Sequence, residues 1–248
     1  MPENTSDDTS LAGEDTPSPP ENRTSARPVE DGSPAPTIRR RKSHPLCIEF
    51  EAIPQVVRYE EFFGNDHPVE LEVGCGKGLY LRNAAKANPS HNFLGIEIAR
   101  KYAFYGAERI LKLGLTNVRI IPGDALLLLK RVPDASTNTV HLYFPDPWWK
   151  KRHHKRRVFT ADFVKDVARI LMDDGRFLIV TDVADYFALV QEVMRDFDVF
   201  ATDLPPETHE PQHDMDYLTN FERKFRREGR PIYRIGYKRA ARSDQACP

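Results

Sequence analysis

The stretch Val69-Glu70-Leu71-Glu72-Val73-Gly74-Cys75-Gly76-Lys77-Gly78 decides the fold. It begins as a run of strand length, breaks at a glycine turn and passes into a helical pattern through about Ala87. Working outward, Asn92 to Glu97 reads as a second strand, a helix reaches roughly Leu113, and Val118 to Ile121 reads as a third strand. Thr139 to Phe144 is the fourth. Thr160 suits the N-cap of a following helix whose Phe163, Val164, Val167, Ile170 and Leu171 share one apolar face. Gly175 is expected to end that helix, and Phe177 to Val180 to form the fifth strand. A helix around 184–196, a strand near Val199-Phe200, a Pro-rich loop, a charged helix around 217–228 and a strand from Ile232 to Tyr237 complete the pattern. Strands alternating with helices predict an α/β fold, with a mostly parallel seven-stranded sheet and helices on both faces.

The 248 residues suit one sizeable α/β domain. A net charge of -1 conceals an asymmetry: residues 1–38 carry eight acids against Arg23 and Arg27, leaving 34 basic and 29 acidic residues in the remaining 210. That tail also holds seven of the twenty prolines and few large apolar side chains, so burial cannot offset its ordering entropy. The expected organisation is a disordered acidic tail over 1–40, a domain over 41–240 and a flexible end over 241–248. Arg39-Arg40-Arg41-Lys42, a basic knot at the junction, reads as a solvated linker ahead of the alternative, a phosphate contact. The tail lacks the features of a secretory signal or a typical transit peptide, and no apolar run is long enough to span a membrane. Cys47, Cys75 and Cys247 are odd in number and lack Cys-x-x-Cys spacing, which argues against disulfides and structural zinc. A cytoplasmic protein without membrane or metal partners is expected.

The glycine turn lies where an open α/β sheet binds its ligand, because absent side chains let the backbone approach closely. A dinucleotide fingerprint would place a third glycine at 79, where this chain has Leu79. Glu97, at the end of the second strand, and Asp124, after the third, are suited to accept hydrogen bonds from ribose hydroxyls and an adenine amino group. Glu72, just before the turn, adds a carboxylate suited to a cationic amino-acid end rather than a pyrophosphate. Each acid alone could simply end a strand or cap a helix. Three on successive strand ends match S-adenosylmethionine.

After the fourth strand comes Phe144-Pro145-Asp146-Pro147-Trp148-Trp149, and then the basic run Lys150-Lys151-Arg152-His153-His154-Lys155-Arg156-Arg157. The prolines restrict the backbone around Asp146, the indoles offer faces for base stacking, and the basic run offers neutralisation of phosphates. One indole is expected in the core and one facing the site. Together they point to chemistry on a nucleic-acid base.

These residues resemble the bacterial tRNA (guanine-N7)-methyltransferases, members of the class I S-adenosylmethionine-dependent methyltransferases with a single Rossmann-like domain. The likeness runs over about 45–239. It rests on Leu71 to Gly76 with Gly78, on Gly95-Ile96-Glu97, on Phe144 to Trp148 with Lys150 and 155–157, on Thr181-Asp182, and on Thr219 to Glu222. The resemblance implies methylation of a variable-loop guanine, position 46 in the family, to 7-methylguanosine. It further implies a cofactor site of Glu72, Gly74, Gly76, Gly78, Glu97, Asp124 and Asp146, with Asp146 also catalytic. Substrate contacts would come from Lys150, Asp182, Thr219, Asn220, Phe221 and Glu222. The expected partner is tRNA, and the expected state a monomer or weak homodimer. The alternatives are an adenine N6 methyltransferase and a non-catalytic RNA-binding protein on the same fold.

Overall fold

The computed structural model describes residues 43–148 and 151–242. The acidic tail, the basic knot at 39–42, Trp149, Lys150 and residues 243–248 lie outside them. A short helix α1 (Tyr59–Phe63) leads into strand β1 (Val69–Val73), and then α2 (Leu79–Ala87), β2 (Asn92–Glu97), α3 (Arg100–Leu111) and β3 (Val118–Pro122) follow. The second half comprises α4 (Ala125–Leu129), β4 (Thr137–Tyr143), α5 (Ala161–Ile170), β5 (Leu171–Thr181), α6 (Ala184–Met194), β6 (Phe200–Asp203), α7 (Asn220–Arg227) and β7 (Tyr233–Arg239).

The seven strands form one sheet in the order β3-β2-β1-β4-β5-β7-β6. β1 to β5 are parallel, and β7 inserts antiparallel between β5 and β6. The chain winds outward from β1 to β3 and then returns to place β4 against β1. Connections on the two sides therefore diverge at the carboxyl ends of β1 and β4, leaving a crevice there.

Alternating side chains of each strand feed two separate cores. On one face Leu71, Val73, Leu142, Phe177 and Ile179 pack against apolar residues of α4, α5 and α6. On the other, Phe93, Val118 and Ile120 pack against Leu81 and Ala85 of α2 and Ala103, Ala107 and Ile110 of α3. Each fully buried large aliphatic or aromatic side chain contributes roughly 1.5–3 kcal/mol, so these two layers hold the crevice open on a rigid base. The second face also carries a smaller cluster of Tyr143, Phe144, Leu178, Val180 and Phe225 beneath α7.

Thr160 caps α5 as expected, accepting from the Phe163 N–H. The helix, however, ends at Ile170 rather than Gly175, and β5 begins at once at Leu171. Leu171 is extended and pairs with Thr137, and the register then shifts so that Thr139 faces Arg176. The extra residues form a bulge in which Asp174 is left-handed (φ 64°) and Asp173 is held by Arg242 at 2.7 Å. A Cβ on Gly175 would lie 2.8 Å from the Met172 carbonyl oxygen, so glycine serves the bulge rather than a helix end. Phe144 lies outside β4 because its φ of 50° turns the chain out of the sheet. Helices α1 and α4, each five residues long, are too short for periodicity to reveal them.

Candidate active site

The glycine turn is built from left-handed residues, Gly74, Gly76 and Gly78, with φ of 75°, 54° and 67°. The Gly74 and Cys75 N–H groups both donate to the Ile96 carbonyl, at 2.8 and 3.1 Å, which ties the turn to the end of β2. Glu97 completes that tie: one carboxylate oxygen accepts from Gly76 N–H and the other from Ala99 N–H, each at 2.8 Å. Asp124 is the N-cap of α4, accepting from Leu126 N–H at 2.8 Å. Both acids thus hold backbone as well as standing at the crevice.

Glu72 is different. Its side chain is buried, and Oε2 has no hydrogen-bond partner. Burial, followed by the neighbouring charge of Glu97, raises its carboxyl to about 8. A buried polar atom left unsatisfied is costly and calls for an explanation. A cationic ligand group beside the glycine turn supplies one, so the residues present fit S-adenosylmethionine.

Asp146 stands exposed between two bulky residues with positive φ, Phe144 at 50° and Trp148 at 44°. Such conformations cost of order 1–3 kcal/mol each and persist only where the surroundings impose them. Here the Phe144 N–H donates to the Val180 carbonyl at 2.7 Å and its ring packs 5.5 Å from that of Phe225. At the other end Arg157 donates to the Pro147 carbonyl at 2.7 Å, and the Arg156 guanidinium lies 5.0 Å from the Trp148 ring. The corner is clamped on both sides, with Trp148 half-buried.

A family model described as "Putative methyltransferase" matches residues 66–235. Over 196 residues the chain is 43% identical to a tRNA (guanine-N(7)-)-methyltransferase of Rhodopirellula baltica, covering 76% of this chain and 72% of that one. It is 38% identical over 190 residues to the protein of the same description from Vibrio cholerae, covering 76% and 80%. This chain belongs to the tRNA (guanine-N7)-methyltransferase family. A solved precorrin-6y C5,15-methyltransferase from Geobacter metallireducens shares the fold at a TM-score of 0.50 and 15% identity, covering 71% of this chain and 82% of that one.

The residues that the family likeness assigns to substrate lie at the other margin of the crevice. Asp182 follows β5 and is paired with Arg230. Thr219 caps α7, accepting from Glu222 N–H at 3.0 Å, while Glu222 accepts from Leu218 N–H at 3.0 Å and from Arg234 at 2.6 Å. Both side chains are therefore engaged within the fold. Phe221 is half-exposed, with its ring 6.2 Å from Phe144 and 6.0 Å from Phe225. Asn220 faces the glycine-turn side, sharing a small cleft with Lys77 and Gly78. Lys150 lies outside the described residues. Among the described residues no group of three or more His, Cys, Asp and Glu is placed to hold a metal ion, and no helix is long and apolar enough to cross a membrane.

Sequence reasoning missed a buried polar chain under the crevice. His141, only 2% exposed, contacts Glu70 through Nε2 and the Tyr143 hydroxyl through Nδ1, each at 2.8 Å. Tyr80 donates to Glu70 at 3.1 Å, and His91 contacts the other Glu70 oxygen at 2.8 Å. Burial pushes the Glu70 carboxyl up, but hydrogen bonds and charge from His141, then hydrogen bonds from His91 and Tyr80, prevail and bring it to about 2. The chain fixes Tyr143 one residue before the Asp146 corner begins. Its signal was a lone histidine inside the apolar run Val140-His141-Leu142.

Proposed function

We propose that this protein transfers a methyl group from S-adenosylmethionine to N7 of a guanine in the variable loop of tRNA, giving 7-methylguanosine. The observation that carries the reading is the clamped, exposed Asp146 on the same sheet edge as the glycine turn and the unpartnered Glu72. S-adenosylmethionine supplies an electrophilic methyl group when bound. Glu72 would hold its cationic amino-acid end, with Gly74, Gly76 and Gly78 allowing close backbone approach. Glu97 and Asp124 would take its ribose and adenine.

Guanine N7 has a free lone pair at neutral pH, so the nucleophile has no proton to lose. Alignment is then the main demand on the protein, and a rigid corner meets it. Transfer leaves positive charge on the purine, which a fixed Asp146 carboxylate stabilises while accepting hydrogen bonds from the guanine edge. The target base must leave its stack to reach the corner, where Trp148 and Phe221 offer aromatic faces to it. Arg152 and Arg156, both exposed beside the corner, supply charge for the flanking phosphates. The test is to incubate unmodified tRNA with labelled S-adenosylmethionine, map the label and identify the nucleoside. 7-Methylguanosine in the variable loop is expected, and N6-methyladenosine in its place would overturn the reading.

A further inference from the structure

A second cationic and aromatic surface lies beside the glycine turn, on α2 and α3. Lys77, inside the turn, places its ammonium 5.5 Å from the ring centroids of both Tyr102 and Tyr105 on α3. The Arg109 guanidinium lies 5.5 Å from the Tyr105 ring and donates to its hydroxyl at 3.4 Å. Both rings stay close to half-exposed, at 45% and 48%. Lys77, Arg82 and Arg109 line one small cleft together with Met215 and Asn220.

The charges here are unbalanced. Among the described residues no carboxylate pairs with Lys77, Arg82 or Arg109, although Arg100, Arg223, Arg226, Arg227 and Arg230 are all paired. Burial, followed by the like charge of Arg109, lowers the Arg82 pKa. Cations grouped beside exposed aromatic rings suit one ligand class especially well: a nucleic-acid strand, whose phosphates neutralise the cations while its bases stack on the rings. The cleft reaches Gly78 and Asn220, so this surface borders the crevice directly.

We infer that the Lys77, Arg82, Tyr102, Tyr105 and Arg109 surface is a second binding surface for the tRNA backbone, gripping the strand on the α3 side of the crevice while Arg152 and Arg156 grip it beside the Asp146 corner. This inference rests on the tRNA reading above. It assigns the glycine-turn helix pair an RNA-holding role in addition to cofactor support, and it explains why the exposed face of α3 carries tyrosines at 102 and 105.

Arg109→Gln and Tyr105→Ala test it, with Arg109→Lys as the conservative control. The first measurement is 7-methylguanosine formation by the unaltered protein; if none forms, the functional reading itself falls. Given that activity, tRNA affinity is measured by fluorescence anisotropy across a salt series. Arg109→Gln should weaken binding about three- to tenfold and reduce the slope of log K against log salt by about 1. Tyr105→Ala should weaken binding while leaving the slope unchanged, because a ring releases no counterions. KM for tRNA should rise in both, with kcat at saturating tRNA and S-adenosylmethionine affinity within about twofold of the unaltered protein. Arg109→Lys should keep the full slope. An unchanged slope and KM in Arg109→Gln, or an equal loss of cofactor affinity, would overturn the inference while leaving the proposed activity standing.

Discussion

Replacing Glu72 by glutamine isolates the energetic consequence of a carboxyl buried without a partner. In the folded chain its pKa is raised from 4.5 to about 8, by burial and by Glu97. Below about pH 4.5 folded and unfolded states both hold the proton and the group costs nothing. As pH rises, the unfolded chain ionises first, and the penalty on folding grows until about pH 8. Linkage gives about 1 kcal/mol at pH 5, about 3 kcal/mol at pH 7 and more than 4 kcal/mol at pH 8. Glutamine removes this pH-dependent part, and its own burial cost is constant with pH and cancels in the comparison. At roughly 2–4 °C per kcal/mol for a domain of this size, Tm of Glu72→Gln relative to the unaltered protein should climb by roughly 10 °C between pH 5 and pH 8. Differential scanning calorimetry without added cofactor measures it. The same variant should lose affinity for S-adenosylmethionine, and near pH 7 the unaltered protein should release a proton on binding it as the carboxyl ionises against the ammonium. A Tm difference that stays flat across this range would refute the account of Glu72.

The other predictions concern the corner and the two buried acid networks. Asp146→Ala should remove turnover while keeping tRNA affinity within about twofold, as read by filter binding beside a methyl-transfer assay; unchanged turnover would remove Asp146 from its role. Glu70 is depressed to about 2, so it contributes stability that is complete above about pH 4.5 and is lost as pH falls towards 2. Glu70→Gln should therefore lose about 3 kcal/mol near neutrality and much of the acid sensitivity below pH 4.5, measured by urea unfolding at stepped pH. Glu222→Ala would strand the Leu218 N–H and leave Arg234 without its 2.6 Å partner, so a loss of about 3 kcal/mol or more in urea unfolding is expected. A fully stable Glu222→Ala that only loses tRNA affinity would instead mark Glu222 as a direct substrate contact.

Much of the crevice was legible because its signals are local. The glycine turn needs positive φ at 74, 76 and 78, and glycine reports that need in the sequence. Strand ends place Glu97 and Asp124 by register, since parallel β1, β2 and β3 bring their carboxyl ends to one edge. What the sequence concealed was long-range. Asp124 also caps a five-residue helix too short to show periodicity. Leu171 enters a strand because its partner Thr137 lies 34 positions away, so the stop expected at Gly175 came from local chemistry that tertiary pairing overrode. The Glu70–His141–Tyr143 chain joins β1 to β4, and nothing adjacent in sequence to His141 announces Glu70. Glu222 gave the reverse lesson. A Thr-x-x-Glu pattern at 219–222 is a capping signature, and the structure uses it as one.

Phe144 gives the corner a dependence on a distant element. Its N–H is the last rung from β4 to β5, and its ring lies against Phe221 and Phe225 on α7. The angle that presents Asp146 is therefore set jointly by the sheet and by a helix more than seventy residues downstream. Transplanting Phe144-Pro145-Asp146-Pro147 into another methyltransferase of this architecture would carry the acid but not its aim. The portable unit is the tetrapeptide together with α7, and a protein engineer or a diverging lineage would have to exchange both together.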